Sequence, residues 1–293
     1  AASDSPAARV GLIAVLREAG KYRMAVARAT AGLRRWPDDA DLLVERGHTY
    51  VNLRAVEAAL RDLEKAVRLA PGSFDAWYHY ALALWFSRSF AEAAEAFDKA
   101  AEVTPSASSR LAARTWQYTA LRRSGNETVA RALLPTIAWD VDLEGKNLNY
   151  QLRTRFYQGG LTEGELVAAQ TPGTKSEGSL SFGLGTWHLA HGDVEAARRH
   201  FVTGADSDFW PAFGVAACEL ELALLDGSEP TEPEAYGILG DPLYSVVSQG
   251  DQAEELEARV AEARAAHAAA PDDVDKARAH AKALASGAAR YRE

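Results

Sequence analysis

The chain has 293 residues, a formal net charge of −9 at pH 7 and one cysteine. This acidic balance argues against a nucleic-acid partner, because phosphate backbones are bound by stripes of Lys and Arg. A single cysteine excludes an intrachain disulfide, and the sequence has no apolar run long enough to cross a bilayer.

Regularly spaced prolines organise the first part of the chain. Pro37, Pro71 and Pro105 lie 34 residues apart, and each follows a run of Ala, Leu and Val at helical spacing. Between the last two prolines, large and small side chains occupy fixed positions: Trp77, Tyr80, Ala81, Leu84, Ala93, Phe97 and Ala100. Small residues let two helices approach closely, large ones fill the space between neighbouring pairs, and proline ends the second helix. The pattern predicts stacked pairs of antiparallel helices.

This period and these residue types resemble the tetratricopeptide repeat (TPR) family. The resemblance implies an all-α fold, a right-handed superhelical solenoid of antiparallel helix pairs. The two earlier units keep fewer signature residues: Gly47, Tyr50, Ala59, Leu63 and Ala66 in the second, and Leu12, Ala25 and Gly32 in the first.

Further helix pairs are predicted beyond Pro105. A fourth pair turns at Gly125 with Ala130 in a small-residue position, and Thr162 caps the second of two short helices, within 146–158 and 162–170. Residues 171–179 are predicted to be a polar loop. Repeat signatures then return at Leu184, Gly185, His188, Ala197, Phe201, Trp210, Phe213 and Gly214.

We therefore predict TPR and TPR-like repeats over 1–225, a linker or ordered loop over 226–250, and C-terminal helices over 251–293 that end in a half-repeat. The region 115–225 also resembles bacterial TPR outer-membrane lipoproteins that serve as adaptors for periplasmic proteases. The shared stretches are YQGGLTEGEL, GLGTWHLAHGDVEAARRHF and FGVAACELELALL. This resemblance implies an extracytoplasmic helical adaptor.

No motif of an enzyme is found, so the protein is predicted to be non-catalytic and without a cofactor. His188, His191 and His200 are candidate metal ligands, because an i, i+3 pair shares one helical face. No Asp, Glu or Cys completes a recognisable ligand set, so the prediction is that these histidines are structural and bind no metal. Cys218 lies among Ala, Val and Leu, which indicates a buried, inert thiol.

An aromatic stretch, WYHYALALWF at 77–86, is the richest candidate for binding a partner. The resemblance to TPR domains places six side chains on the concave groove: His48, Asn52, Tyr78, Leu82, Trp85 and Phe86. A groove for a peptide or a partner helix is one interpretation. The alternative is that a later segment of the same chain covers these residues.

The two ends of the repeat array carry a second hypothesis. The first helix is apolar on most of its circumference, and the last predicted helix lacks the helix that should pack beside it. We therefore expect head-to-tail assembly, as in an extracellular filament subunit, through Val10, Leu12, Ile13, Leu16, Ala277, His280, Leu284 and Tyr291. The alternative is a fragment or a weakly capped monomer.

Two further expectations concern the location of the protein and its modification. The small polar opening AASDSPAA looks like an end left by signal-peptide cleavage, so an extracytoplasmic location is expected. Asn126, followed by Glu127 and Thr128, fits the N-glycosylation sequon at a predicted turn.

Overall fold

The computed structural model describes residues 5–143 and 148–228. These residues form α-helices and one 3-10 helix, Leu134–Thr136, with no strand among them. The all-α class predicted from the sequence is confirmed. The α-helices are α1 Pro6–Glu18, α2 Tyr22–Arg35, α3 Ala40–Asn52, α4 Val56–Leu69, α5 Phe74–Phe86, α6 Phe90–Val103, α7 Ala107–Arg123, α8 Glu127–Leu133, α9 Asn149–Tyr157, α10 Glu163–Ala168, α11 Lys175–Ala190, α12 Val194–Ala205 and α13 Phe213–Asp226.

The described helices fall into two compact units that meet in sequence between Pro71 and Gly72. In the first unit, α1 packs on α2 and α3 packs on α4 as hairpins with short turns. Gly47 lies at the crossing of α3 and α4, where a Cβ atom would lie 2.5 Å from Cγ of Leu63. Only glycine permits this approach without displacement of Leu63, in agreement with the small residue predicted at this position.

Two ion pairs hold the hairpins of the first unit. The Nε and Nη2 atoms of Arg46 on α3 donate hydrogen bonds to the two carboxylate oxygens of Asp62 on α4, at 2.6 and 2.7 Å. The guanidinium of Arg17 on α1 donates to the carboxylate of Glu45 on α3, and both side chains are buried. Such charge-assisted contacts fix the relative register of neighbouring helices.

Helix α1 is more deeply buried than its sequence suggested. Val10, Ile13 and Leu16 have almost no exposed surface, whereas Leu12 is half-buried. These three side chains are therefore covered within the single chain, whereas the assembly hypothesis requires them to be exposed. Their physical environment is a helix core, not an open apolar face.

The second unit contains, among the described residues, four hairpins, α5 with α6, α7 with α8, α9 with α10, and α11 with α12, followed by α13. Ala93, Ala130 and Ala197 are fully buried, as the repeat signature predicts. A Cβ atom on Gly185 of α11 would collide with the ring of Phe201 on α12. The small-residue positions thus mark close helix crossings in this unit too.

Local signals set the ends of the helices near residue 170. Thr162 and Glu165 form a reciprocal capping box at the start of α10, which confirms the predicted cap. The loop predicted over 171–179 is shorter than expected, because α11 already begins at Lys175. The hydroxyl of Thr174 accepts a hydrogen bond from the backbone N–H of Ser176 at 3.2 Å and caps that helix.

The last described helix ends at Asp226 and is followed by Gly227, whose φ of 64° gives the left-handed turn that commonly follows a helix. Most of the predicted linker over 226–250, and the predicted helices over 251–293, lie outside the described residues. The same holds for the C-terminal residues of the assembly hypothesis: Ala277, His280, Leu284 and Tyr291.

Candidate functional site

The aromatic groove predicted on the first helices of the repeats is closed in the second unit. Tyr78 is 8% exposed, and Leu82 and Trp85 are 0% exposed. Phe86 is half-buried. The prediction that these three buried side chains line an open groove is therefore wrong. In the first unit, His48 is half-buried and Asn52 is buried.

Later helices of the same unit cover this face. The indole of Trp85 packs edge-on against Trp116 of α7 and Phe182 of α11, with ring centroids 5.4 and 5.6 Å apart. The hydroxyl oxygen of Tyr78 lies 2.8 Å from that of Tyr150 on α9, and Nε1 of Trp116 donates to the Tyr150 oxygen at 3.2 Å. The structure thus agrees with the alternative in which the chain covers its own aromatic stripe.

A buried arginine completes this aromatic core. Arg153 on α9 is 1% exposed, and its guanidinium carbon lies 5.0 Å from the ring centroid of Phe182 and 5.5 Å from that of Trp116. Its Nη2 atom lies 3.4 Å from the hydroxyl oxygens of both Thr119 and Tyr157. Ring faces and hydroxyls compensate for part of the loss of water around the charge. The sequence does not indicate this role, because Arg153 looks like an ordinary polar residue of α9.

Burial also determines the protonation of the core phenol. The pKa of Tyr78 is raised well above its ordinary value, first by burial and then by the neighbouring Tyr150. The phenol therefore stays neutral and able to donate a hydrogen bond. The aromatic core is a structural element rather than an acid–base site.

A second constellation joins α10, α11 and α12. Nε2 of His188 and Nε2 of His200 each lie 3.1 Å from a different carboxylate oxygen of Glu163. The two imidazole rings are stacked, with centroids 5.3 Å apart. The statement that no carboxylate completes the histidine set is therefore wrong. Glu163 is 25 residues from His188, so no local spacing in the sequence indicated it.

Glu163, His188 and His200 together are called the histidine cluster. Its three side chains differ in solvent exposure. The side chains of His188 and His200 are 18% and 17% exposed, and that of Glu163 is 48% exposed. Burial lowers the pKa of His200, and Glu163 opposes that shift. His191, the third predicted candidate, is not part of the cluster. Its Nδ1 atom lies 2.7 Å from the carbonyl oxygen of Trp187, and its ring packs on that indole.

Two further residues were singled out in the sequence: Cys218, which is buried, and Asn126, which is exposed. Cys218 is fully buried, and burial raises the pKa of its thiol well above the ordinary value, in agreement with the inert thiol expected. Asn126 is exposed at the turn between α7 and α8. Its glycosylation stays a prediction.

Within the described ranges, no helix combines the length and hydropathy required for a membrane crossing.

Comparisons with known proteins concern the repeats. The family model for the tetratricopeptide repeat matches residues 40–73 and 74–106. A search of curated proteins gave no match. A solved structure of Naa15/Naa10 bound to HypK-THB is similar at 17% identity and a TM-score of 0.32, over 92% of this chain and 43% of the other. The chain thus spans less than half the length of that solved chain. Residues 40–106 of the protein form two tetratricopeptide repeats.

Proposed function

We propose that this protein is a non-catalytic protein-interaction scaffold whose partner binds the second helices of the repeats. Tetratricopeptide repeats are typically modules for binding other proteins. In the second unit, Tyr78, Leu82 and Trp85 on the first-helix face are already in contact with their own chain. Their burial is the observation that carries the proposal, because a partner cannot use a surface that is already packed.

Helix α6 is the second helix of the repeat at 74–106, and it offers an exposed acidic surface. Glu92, Glu95 and Glu102 are exposed on it, with Lys99 as an exposed cation. Lys99 already donates to Glu102 at 2.9 Å, which leaves Glu92 and Glu95 as the main sources of negative potential. Complementary charge favours encounter and orientation of partners. We therefore expect a partner that presents a basic surface.

Site-specific photo-crosslinking in cells of the native source tests this proposal. A benzophenone amino acid replaces Glu95 on α6 in one variant and Phe86 on α5 in the matched control. Glu95 is exposed and Phe86 is the least buried of the aromatic groove candidates on α5. We expect a discrete crosslinked partner from position 95. A crosslink from position 86 with none from position 95 would contradict the proposal and favour a groove-binding adaptor.

Head-to-tail assembly into a filament is the competing function. It would use Val10, Ile13 and Leu16 as exposed contacts, whereas these side chains are buried in the single chain. Their burial favours the scaffold. Sedimentation over a range of protein concentrations separates the two, because only assembly gives a mass that grows with concentration. The extracytoplasmic location, as of a periplasmic adaptor, stays part of the proposal, and fractionation of the source cells tests it.

A further inference from the structure

The histidine cluster brings together the donor atoms of a divalent-metal site. We propose that Glu163, His188 and His200 bind one Zn²⁺ ion, a role independent of partner binding by the repeats. Their candidate ligand atoms, one from each residue, all lie within 4.8 Å of one another. The residues come from three different helices, so their meeting is a product of the fold and not of local spacing.

The distances suit a zinc site after small side-chain rotations. Zinc binds imidazole nitrogen and carboxylate oxygen at about 2.0–2.2 Å, which places tetrahedral ligand atoms about 3.3 Å apart. The two nitrogen-to-oxygen distances in the cluster are both 3.1 Å. The two distances end on different oxygens of Glu163, so the carboxylate would have to turn to place one oxygen on the ion, and the two imidazoles would have to approach each other. Both rings lie at the protein surface with part of their area in solvent.

The charge of the site also favours a cation. Without a metal, each Nε2–H group donates to one oxygen of Glu163. A zinc ion would bind both Nε2 atoms in the tautomer that carries the ring proton on Nδ1, so each imidazole stays neutral and the same three side chains hold the ion. Asp193 adds a second carboxylate, with its Oδ2 atom 3.8 Å from Nδ1 of His188. This separation is longer than a hydrogen bond, and a small rotation of either side chain would let Nδ1–H of a zinc-bound His188 donate to Asp193. A carboxylate that accepts this hydrogen bond orients the ring and increases its basicity.

Three protein ligands leave a tetrahedral ion with one open position. The exposed side of Glu163 faces solvent, so water can occupy that position. A bound ion would tie the short helix α10 to the hairpin of α11 and α12. We therefore expect metal binding to stabilise this part of the second unit.

Zinc titration of the full-length protein, prepared without a histidine tag, tests the proposal. Calorimetry measures affinity and stoichiometry, and Co²⁺ absorption in the visible range reports tetrahedral coordination. The variants are Glu163→Gln, His188→Gln and His200→Gln. His191→Gln is the matched control, because His191 is on the same hairpin and outside the cluster. Asp193→Asn probes the orienting carboxylate and keeps a residue suited to capping α12.

We expect one Zn²⁺ per chain, and a loss of affinity of about a hundredfold or more in each of the three ligand variants. The control should bind as the wild type does. Asp193→Asn should weaken binding by about tenfold to a hundredfold. Circular dichroism verifies that each variant is folded. Absence of saturable binding to the wild type would overturn the proposal, and so would binding that survives His200→Gln or that is lost in His191→Gln.

Discussion

The hydroxyl oxygens of Tyr78 and Tyr150 lie 2.8 Å apart, although 72 residues separate them in the sequence. Tyr78 belongs to the first helix of a tetratricopeptide repeat, and Tyr150 belongs to α9, which lies beyond both matched repeats. Their contact closes a face on which such domains can bind peptides. Helices α7, α9 and α11 therefore complete the second unit by packing against the repeat at 74–106.

Tyr150→Phe should destabilise the protein by about 1–3 kcal/mol. The change removes the acceptor for Nε1 of Trp116 and the partner of the buried Tyr78 hydroxyl. Urea denaturation measures the free energy of unfolding. The double variant with Tyr78→Phe is the control, because it removes the orphaned hydroxyl, and its cost should be smaller than the sum of the two single changes. Strict additivity would show that the two hydroxyls do not interact.

Gly185→Ala should cost about 1–3 kcal/mol of stability, although alanine is the better helix former. The added methyl group would collide with Phe201 across the helix crossing. Gly164→Ala is the matched control, since Gly164 is also helical and has no neighbouring atom within 4 Å of the point that a Cβ atom would occupy. That control should be neutral or stabilising by up to about 1 kcal/mol. Equal thermal shifts for the two variants would contradict the assigned crossing.

Ala93→Leu should also destabilise the protein by about 1–3 kcal/mol through overpacking. Ala93 on α6 has no exposed surface, whereas Ala91 on the same helix is exposed. Ala91→Leu therefore adds the same side chain without a clash and should change stability by less than about 0.5 kcal/mol. Thermal melts of the two variants give the comparison. A neutral result at position 93 would count against the repeat register.

The repeats were predictable because their signal is periodic. Each hairpin needs a small residue at its crossing, as at Ala59 and Ala93, and this need recurs every 34 residues. The caps were also readable, because Thr162 and Glu165 are three residues apart and contact each other locally. Both the repeat signature and the capping box can be read from residues that lie within one helix hairpin.

The sequence did not show which residues cover the groove or which carboxylate contacts the histidines, because both depend on contacts between distant segments. Nothing in the sequence near Trp85 indicates that Phe182 will cover it, and nothing near His188 indicates Glu163. The burial of Arg153 among aromatic rings likewise depends on the packing of α7, α9 and α11. A single sequence carries no local pattern for such pairs.

Glu221 should make the protein less stable as the pH rises. Burial raises the pKa of this α13 carboxyl above its ordinary value of 4.5, and Arg123, whose Nε lies 2.8 Å from Oε1, only partly opposes the shift. The folded state therefore holds the proton more tightly than the unfolded state does. The stability that this group contributes is fully present below pH 4.5 and is lost as the pH rises through the folded pKa.

Glu221→Gln should remove this loss, because glutamine cannot ionise. The free energy of unfolding of the variant, minus that of the wild type, should increase from pH 4.5 to neutrality. Urea denaturation at several pH values measures the difference. A difference that stays constant or falls with pH would show that the folded pKa is not raised.

Thiol reactivity at position 82 tests most directly the central claim, that the chain covers its own first-helix face. Leu82 on α5 has no exposed surface, and Lys99 on α6 is exposed. The native Cys218 is buried and contributes little background. In the folded protein, Leu82→Cys should react with a water-soluble thiol reagent at least about a hundredfold more slowly than Lys99→Cys, because reaction requires local opening. Rates within about tenfold of each other, with circular dichroism showing both variants folded, would mean that the groove is open and would contradict the account.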